Sequence, residues 1–164
     1  MIDPYVLYEG AHVPTAVWKY GNLEVDASLG SVAVVRRIGP VSDEDFTRYL
    51  EDSEHNMKVT PHKMVTIILG KGSIVAPPTQ RIIQAEWLKR NSELLAQSSL
   101  GSCFVVDSAA VRGALTAIFW FVSMPTDYKI VSTMKEAVAW CKQKLQAAGV
   151  EIPANIDALA AAKE

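Results

Sequence analysis

Met64-Val-Thr-Ile-Ile-Leu-Gly70 is the stretch whose reading decides the fold. It is short, apolar and closed by a glycine, as expected of a strand buried on both faces. Such strands belong to sheets covered by helices, and the flanking sequence supplies them. On the N-terminal side, Val41-Ser-Asp-Glu-Asp-Phe46 places Ser42 as an N-cap, acidic residues in a first turn, and Val41 with Phe46 as a hydrophobic staple. The pattern predicts a helix from about Asp43 to about His55, burying Phe46, Tyr49 and Leu50. On the C-terminal side, Pro77-Pro-Thr79 opens a helix running to about Ser98, with Ile83, Trp87 and Leu94 inward and Arg81, Lys89, Arg90 and Glu93 solvated.

The alternation continues outward. Cys103-Phe-Val-Val106 reads as a strand, Asp107-Ser108 caps a third helix to about Val122, and Tyr128-Lys-Ile-Val131 reads as a last strand. Thr133 and Glu136 form a capping box for a fourth helix, which stops at Gly149 with Val150 placed for a Schellman contact. Upstream, Thr15 to Tyr20 and Ser31 to Arg36 are short β-type runs separated by Gly21-Asn22 and Leu29-Gly30 turns, with a further short strand at Leu23 to Ala27. The expected architecture is an α/β domain with a mostly parallel or mixed central sheet of about five strands and four main helices. Residues 1–150 form this domain, and residues 151–164 read as an appendage, in which Pro153 makes a break and Asn155 caps a short helix.

Composition limits the function classes. The 164-residue chain is 49% hydrophobic and 21% charged, which suits one domain with a real core. Sixteen Lys and Arg against 18 Asp and Glu give a net charge of -2 without a basic cluster, so nucleic acid is not expected as a partner. Met1-Ile-Asp-Pro-Tyr5 lacks the basic start and apolar core of a secretory signal. The longest apolar run, Ala114 to Met124, is interrupted by Thr116 and Ser123 and is too short for a membrane span, so a cytoplasmic protein is expected. Cys103 and Cys141 read as buried free thiols, and His12, His55 and His62 as solvated side chains without metal-ligand spacing. No cofactor motif, nucleophile elbow or dinucleotide fingerprint occurs, and an enzyme would need a site assembled from distant residues.

The order of elements from about Val32 to Leu145 resembles the STAS-like superfamily of small bacterial regulatory domains, which includes anti-sigma-factor antagonists, and especially its SpoIIAA-like branch. The resemblance is carried by the strand and helix from Val32 to Phe46, and by Val131-Ser-Thr-Met-Lys-Glu-Ala-Val-Ala-Trp140, which looks like the family's closing strand and its acidic, alanine-rich helix. In antagonists of this superfamily a strand ends in Asp-Ser-Ser-Gly, and the first serine is phosphorylated by a partner kinase. Asp107 and Ser108 look like that motif's first two residues, but Ala109 and Ala110 replace its Ser-Gly pair, and the turn falls one βα unit later than the family's position. That position is taken here by Gly70-Lys-Gly-Ser-Ile-Val-Ala-Pro-Pro-Thr79. The resemblance thus implies Ser73 or Thr79 as phosphoacceptor before Ser108, which reads first as an N-cap.

Two places stand out as candidate sites. The loop Gly70 to Thr79 lies where α/β sheets gather ligands, between a strand's carboxyl end and a helix start, although its glycines and Lys71 do not have Walker A spacing. The third predicted helix is apolar around most of its circumference. Its inward stripe takes Val111, Leu115, Ile118 and Val122, leaving Arg112, Thr116 and Trp120 as a candidate interaction surface. The expected function is a non-catalytic regulatory or protein-interaction domain similar to SpoIIAA-like STAS proteins, with a protein partner or a second copy of itself. The alternative is a carrier or sensor of a small apolar, lipid-like ligand bound between the third helix and the sheet.

Overall fold

A computed structural model of the chain describes residues 17–60, 62–70, 76–121 and 123–161. The chain is α/β. Its strands are β1 (Val17–Tyr20), β2 (Leu23–Asp26), β3 (Val32–Arg37), β4 (Met64–Gly70), β5 (Ser99–Val105) and β6 (Tyr128–Val131). Its helices are α1 (Asp43–Val59), α2 (Pro78–Arg90), α3 (Ser92–Ser98), α4 (Ala109–Phe121), α5 (Met134–Ala147) and α6 (Asp157–Ala161). One six-stranded sheet runs in the order β1-β2-β3-β4-β5-β6. β1, β2 and β3 pair antiparallel, whereas β3 to β6 pair parallel, so the sheet is mixed.

Side chains on alternate positions of a strand face opposite sides, and β3 shows why its sequence is apolar throughout. Val32 and Val34 pack with Val65, Ile67, Cys103 and the α5 side chains Ala137, Val138, Cys141 and Leu145. Val35 faces the other way and packs with Phe46 and Leu50 of α1, Trp87 of α2 and Leu95 of α3. Two helical layers therefore cover the sheet, α1 to α3 on one face and α5 on the other.

Local signals set most helix ends. Ser42 Oγ accepts from the Asp45 N–H at 3.0 Å, and Val41 and Phe46 are both buried in one cluster. Glu136 accepts from the Ser132 and Thr133 N–H groups and hydroxyls, which hold its carboxyl below the usual carboxylate range. Gly149, at φ +67°, closes α5 while the Val150 N–H reaches the Leu145 carbonyl at 3.0 Å.

Two expectations need correction. The helix expected from Pro77 to Ser98 is two, because Asn91 breaks it at φ -104°, ψ 16°. Its buried side-chain amide donates to Glu54 of α1 at 3.0 Å and to the Trp87 carbonyl at 3.2 Å, a tertiary bond that competes with helix continuation. Leu95 is consequently more buried than Leu94. The strand expected at Cys103 starts at Ser99, since pairing with β4 draws in a Ser/Gly segment that reads locally as a turn. Beyond Gly149, Ile156 is 1% exposed and belongs to the α5-side cluster.

Candidate functional site

The sheet face beneath α1 to α3 carries two rows of side chains of unequal size. Register aligns Val35 with Ile68 and Ile68 with Phe104, a bulky row. One step toward the strands' amino ends, it aligns Ala33 with Thr66 and Thr66 with Ser102, a row of small side chains. The helices bridge across this trough and leave a partly open cavity of about 180 Å³. Tyr49, Ser53, Asn56, Met57 and Thr60 line it from one face of α1 and its C-cap, with Trp87 and Leu88 from α2 and Leu95 from α3. Trp18 closes one side, and Met124 to Thr126 stand at another.

Among the described residues, four buried side-chain polar atoms lack a hydrogen-bond partner within the protein: Asn56 Oδ1, Thr60 Oγ1, His62 Nε2 and Trp87 Nε1. All four residues line this one cavity. An unsatisfied buried donor or acceptor costs about 1–3 kcal/mol, so groups of this kind are ready to pair with whatever reaches them. No Asp, Glu, Lys or Arg stands among the described lining residues. Burial pushes the Tyr49 hydroxyl above its ordinary value, which keeps that wall neutral as well. The arrangement has no charged acid–base pair to move protons. It can instead hold a small uncharged molecule by shape and by a few directed hydrogen bonds.

His62 was expected to be solvated, yet its Nε2 is buried and the residue lines the cavity. The other sequence candidates lie elsewhere. Ser73 is outside the described residues. Thr79 is exposed at the carboxyl end of the sheet, where its hydroxyl donates to Asp43 Oδ1 at 3.3 Å. Asp43 also accepts from the buried Gln80, whose carbonyl oxygen in turn takes a hydrogen bond from Arg37 at 2.9 Å. A phosphate on Thr79 would face the Asp43 carboxylate, which disfavours it. Ser108 follows β5 and caps α4, accepting from the Val111 N–H at 3.4 Å and, through its carbonyl, from the Arg112 N–H at 3.0 Å. Neither Thr79 nor Ser108 lines the cavity.

The α4 surface is smaller than its sequence suggests. Arg112 folds back, donating to the Val106 and Asp107 carbonyls at 2.8 and 2.7 Å, and Thr116 donates to the Arg112 carbonyl at 2.8 Å. Of the inward stripe Leu115 is the buried member among the described residues, Val122 lying outside them, and Phe119 stacks between Phe104 and Tyr128 at 5.0 and 4.8 Å. Trp120 is 82% exposed. It borders an open hollow that shares Met124 to Thr126 with the cavity under α1 to α3. The described cavity lining includes no α4 residue, and the two hollows share Met124 to Thr126 as a common wall.

Cys103 and Cys141 are both fully buried. Burial pushes their thiols up to about 11 and about 12, so almost no thiolate forms near neutrality. An aromatic disulfide reagent at pH 8 should leave both unmodified in the native protein and label both after denaturation. Rapid native labelling would show that α5 lifts from the sheet. Among the described residues no cluster of His, Cys, Asp and Glu could hold a metal, and no helix is long and apolar enough to cross a membrane. No family model, curated protein or solved structure matches the chain.

Proposed function

We propose that this chain is a non-catalytic regulatory domain that senses or carries a small molecule in the cavity between α1–α3 and the sheet. One observation carries the reading: among the described residues, the four with a buried, unpartnered side-chain polar atom all line a single, otherwise largely apolar cavity. Structural cores satisfy buried polar groups, and leaving several open around one space fits a site completed by a ligand. The resemblance to SpoIIAA-like STAS domains supports a regulatory setting rather than a catalytic one. The volume is below the roughly 300 Å³ floor of drug-sized sites, which sets a lipid-like occupant aside.

The test is to fill the trough. Ala33→Leu projects a larger side chain from the small row into the cavity. A library of single-ring compounds screened by ligand-observed NMR should give hits with the wild type that vanish with the variant. Hits that bind both proteins equally would place binding elsewhere and end this reading.

A second reading, a protein-interaction module, rests on Trp120, whose ring is 82% exposed on a helix that also exposes Gly113 and Ala117. The two readings are compatible, since a sensor needs an output surface.

A further inference from the structure

Resting on the cavity reading above, we infer the chemical class of its ligand: a neutral molecule of about one ring that both accepts and donates a hydrogen bond, as a phenol does. Size comes first. A buried apolar cavity of about 150 Å³ accommodates benzene, so the space of about 180 Å³ here takes one ring with a small substituent and excludes a long acyl chain. The walls agree with a ring, because Trp18, Tyr49, Trp87 and Phe104 all line the space.

Charge comes second. A carboxylate or ammonium entering this cavity would lose its hydration, and no Asp, Glu, Lys or Arg stands among the described lining residues to replace it. The ligand is therefore uncharged when bound.

Hydrogen-bonding sense comes third. An indole N–H can only donate, so Trp87 Nε1, on a side chain 7% exposed, requires an acceptor on the ligand. An amide oxygen can only accept, so Asn56 Oδ1 requires a donor. The Thr60 hydroxyl and the His62 ring adapt to either. A single hydroxyl on a ring meets both fixed demands, whereas a ketone, an ether or a bare hydrocarbon meets one or none.

Three probes of nearly equal size separate these requirements in ¹⁹F NMR titrations: 4-fluorophenol, fluorobenzene and 4-fluorobenzoate. The wild type should bind 4-fluorophenol about tenfold or more above fluorobenzene, from one to two hydrogen bonds, and should show no binding of 4-fluorobenzoate. Trp87→Phe keeps an aromatic wall but removes the donor, and Thr60→Val is nearly isosteric and removes the hydroxyl. Each should weaken 4-fluorophenol by roughly three- to tenfold relative to fluorobenzene, the ratio separating a lost hydrogen bond from a reshaped wall. Because Trp87 belongs to the core, Thr60→Val is the safer arm. It should also raise the denaturant midpoint, since it deletes an unsatisfied buried group, so a fall in affinity with a gain in stability cannot be ascribed to damage. Fluorobenzene binding as tightly as 4-fluorophenol, or 4-fluorobenzoate competing with it, would overturn the ligand class and leave the cavity reading standing. Absence of binding by all three probes would overturn both.

Discussion

Alanine at position 101 should lower the stability of this domain by roughly 3–5 kcal/mol, combining backbone strain with overpacking. Gly101 sits inside β5 at φ +136°, a conformation that side chains rarely adopt. An added Cβ would stand 2.6 Å from the Asp127 carbonyl oxygen and 2.8 Å from Cη2 of Trp140. Neither neighbour can retreat cheaply. The Asp127 carbonyl accepts from the Ser102 N–H at 3.0 Å, and Trp140 belongs to α5, which covers that face of the sheet. For a domain of this length the loss corresponds to a fall of roughly 10 °C in thermal midpoint. Gly113→Ala is the internal control, because a Cβ there meets nothing within 4 Å, and it should be neutral or stabilising by up to about 1 kcal/mol. Thermal and denaturant midpoints of the two variants check the contrast. A wild-type midpoint for Gly101→Ala would mean that β5 and the segment before β6 do not approach as described.

Gly101 also bears on the site. By admitting Asp127 so close, it fixes the chain that runs through Met124 to Thr126 at the side of the cavity. None of this is legible from Ser99-Leu-Gly-Ser102 alone, which reads locally as a turn. The elements that were legible are those whose cause is local. Ser42 and the acidic turn mark the start of α1, Thr133 with Glu136 marks α5, and Gly149 with Val150 ends it. The break at Asn91 was not legible, because its partner Glu54 lies on another helix 37 residues away.

The cavity was the least legible feature, and the reason is geometric. Ala33, Thr66 and Ser102 are unremarkable in their own strands, and only the register of three parallel strands turns them into one trough. The polar lining left a fainter trace. Ser53, Asn56 and Thr60 follow Tyr49 at helical spacing, a polar run that continues the inward stripe beyond the helix end expected near His55. Expectation had centred on the Gly70 to Thr79 loop at the strands' carboxyl ends. The cavity lies near the opposite ends, where Thr60 and His62 lead into β4 and Met124 to Thr126 lead into β6.

Trp120→Ala should weaken an α4-centred association by roughly thirtyfold, the effect of losing a hot-spot anchor worth about 2 kcal/mol. The occupant tested first is a second copy of the chain. Gly113, Ala117 and Trp120 recur at four and three residues along α4, so two small exposed positions lie beside the ring and would let another surface approach the helix closely. Arg112 and Thr116, turned back onto backbone carbonyls, support α4 more than they reach outward. Exposure separates this outcome from a folding defect. A Trp buried in a core would lose roughly 3–5 kcal/mol on truncation, whereas a side chain 82% exposed should leave the denaturant midpoint within about 0.5 kcal/mol. Sedimentation velocity over a range of concentrations, for the wild type and for Trp120→Ala, reads association directly. A wild type that stays monomeric throughout would remove the second copy as occupant, and a large drop in midpoint for the variant would place Trp120 in a packed environment. Met124 to Thr126 border both the cavity and the hollow beside Trp120, so the same sedimentation run with 4-fluorophenol present should shift the association constant if ligand and partner are coupled. An unchanged constant at saturating probe would show the two surfaces to be energetically independent.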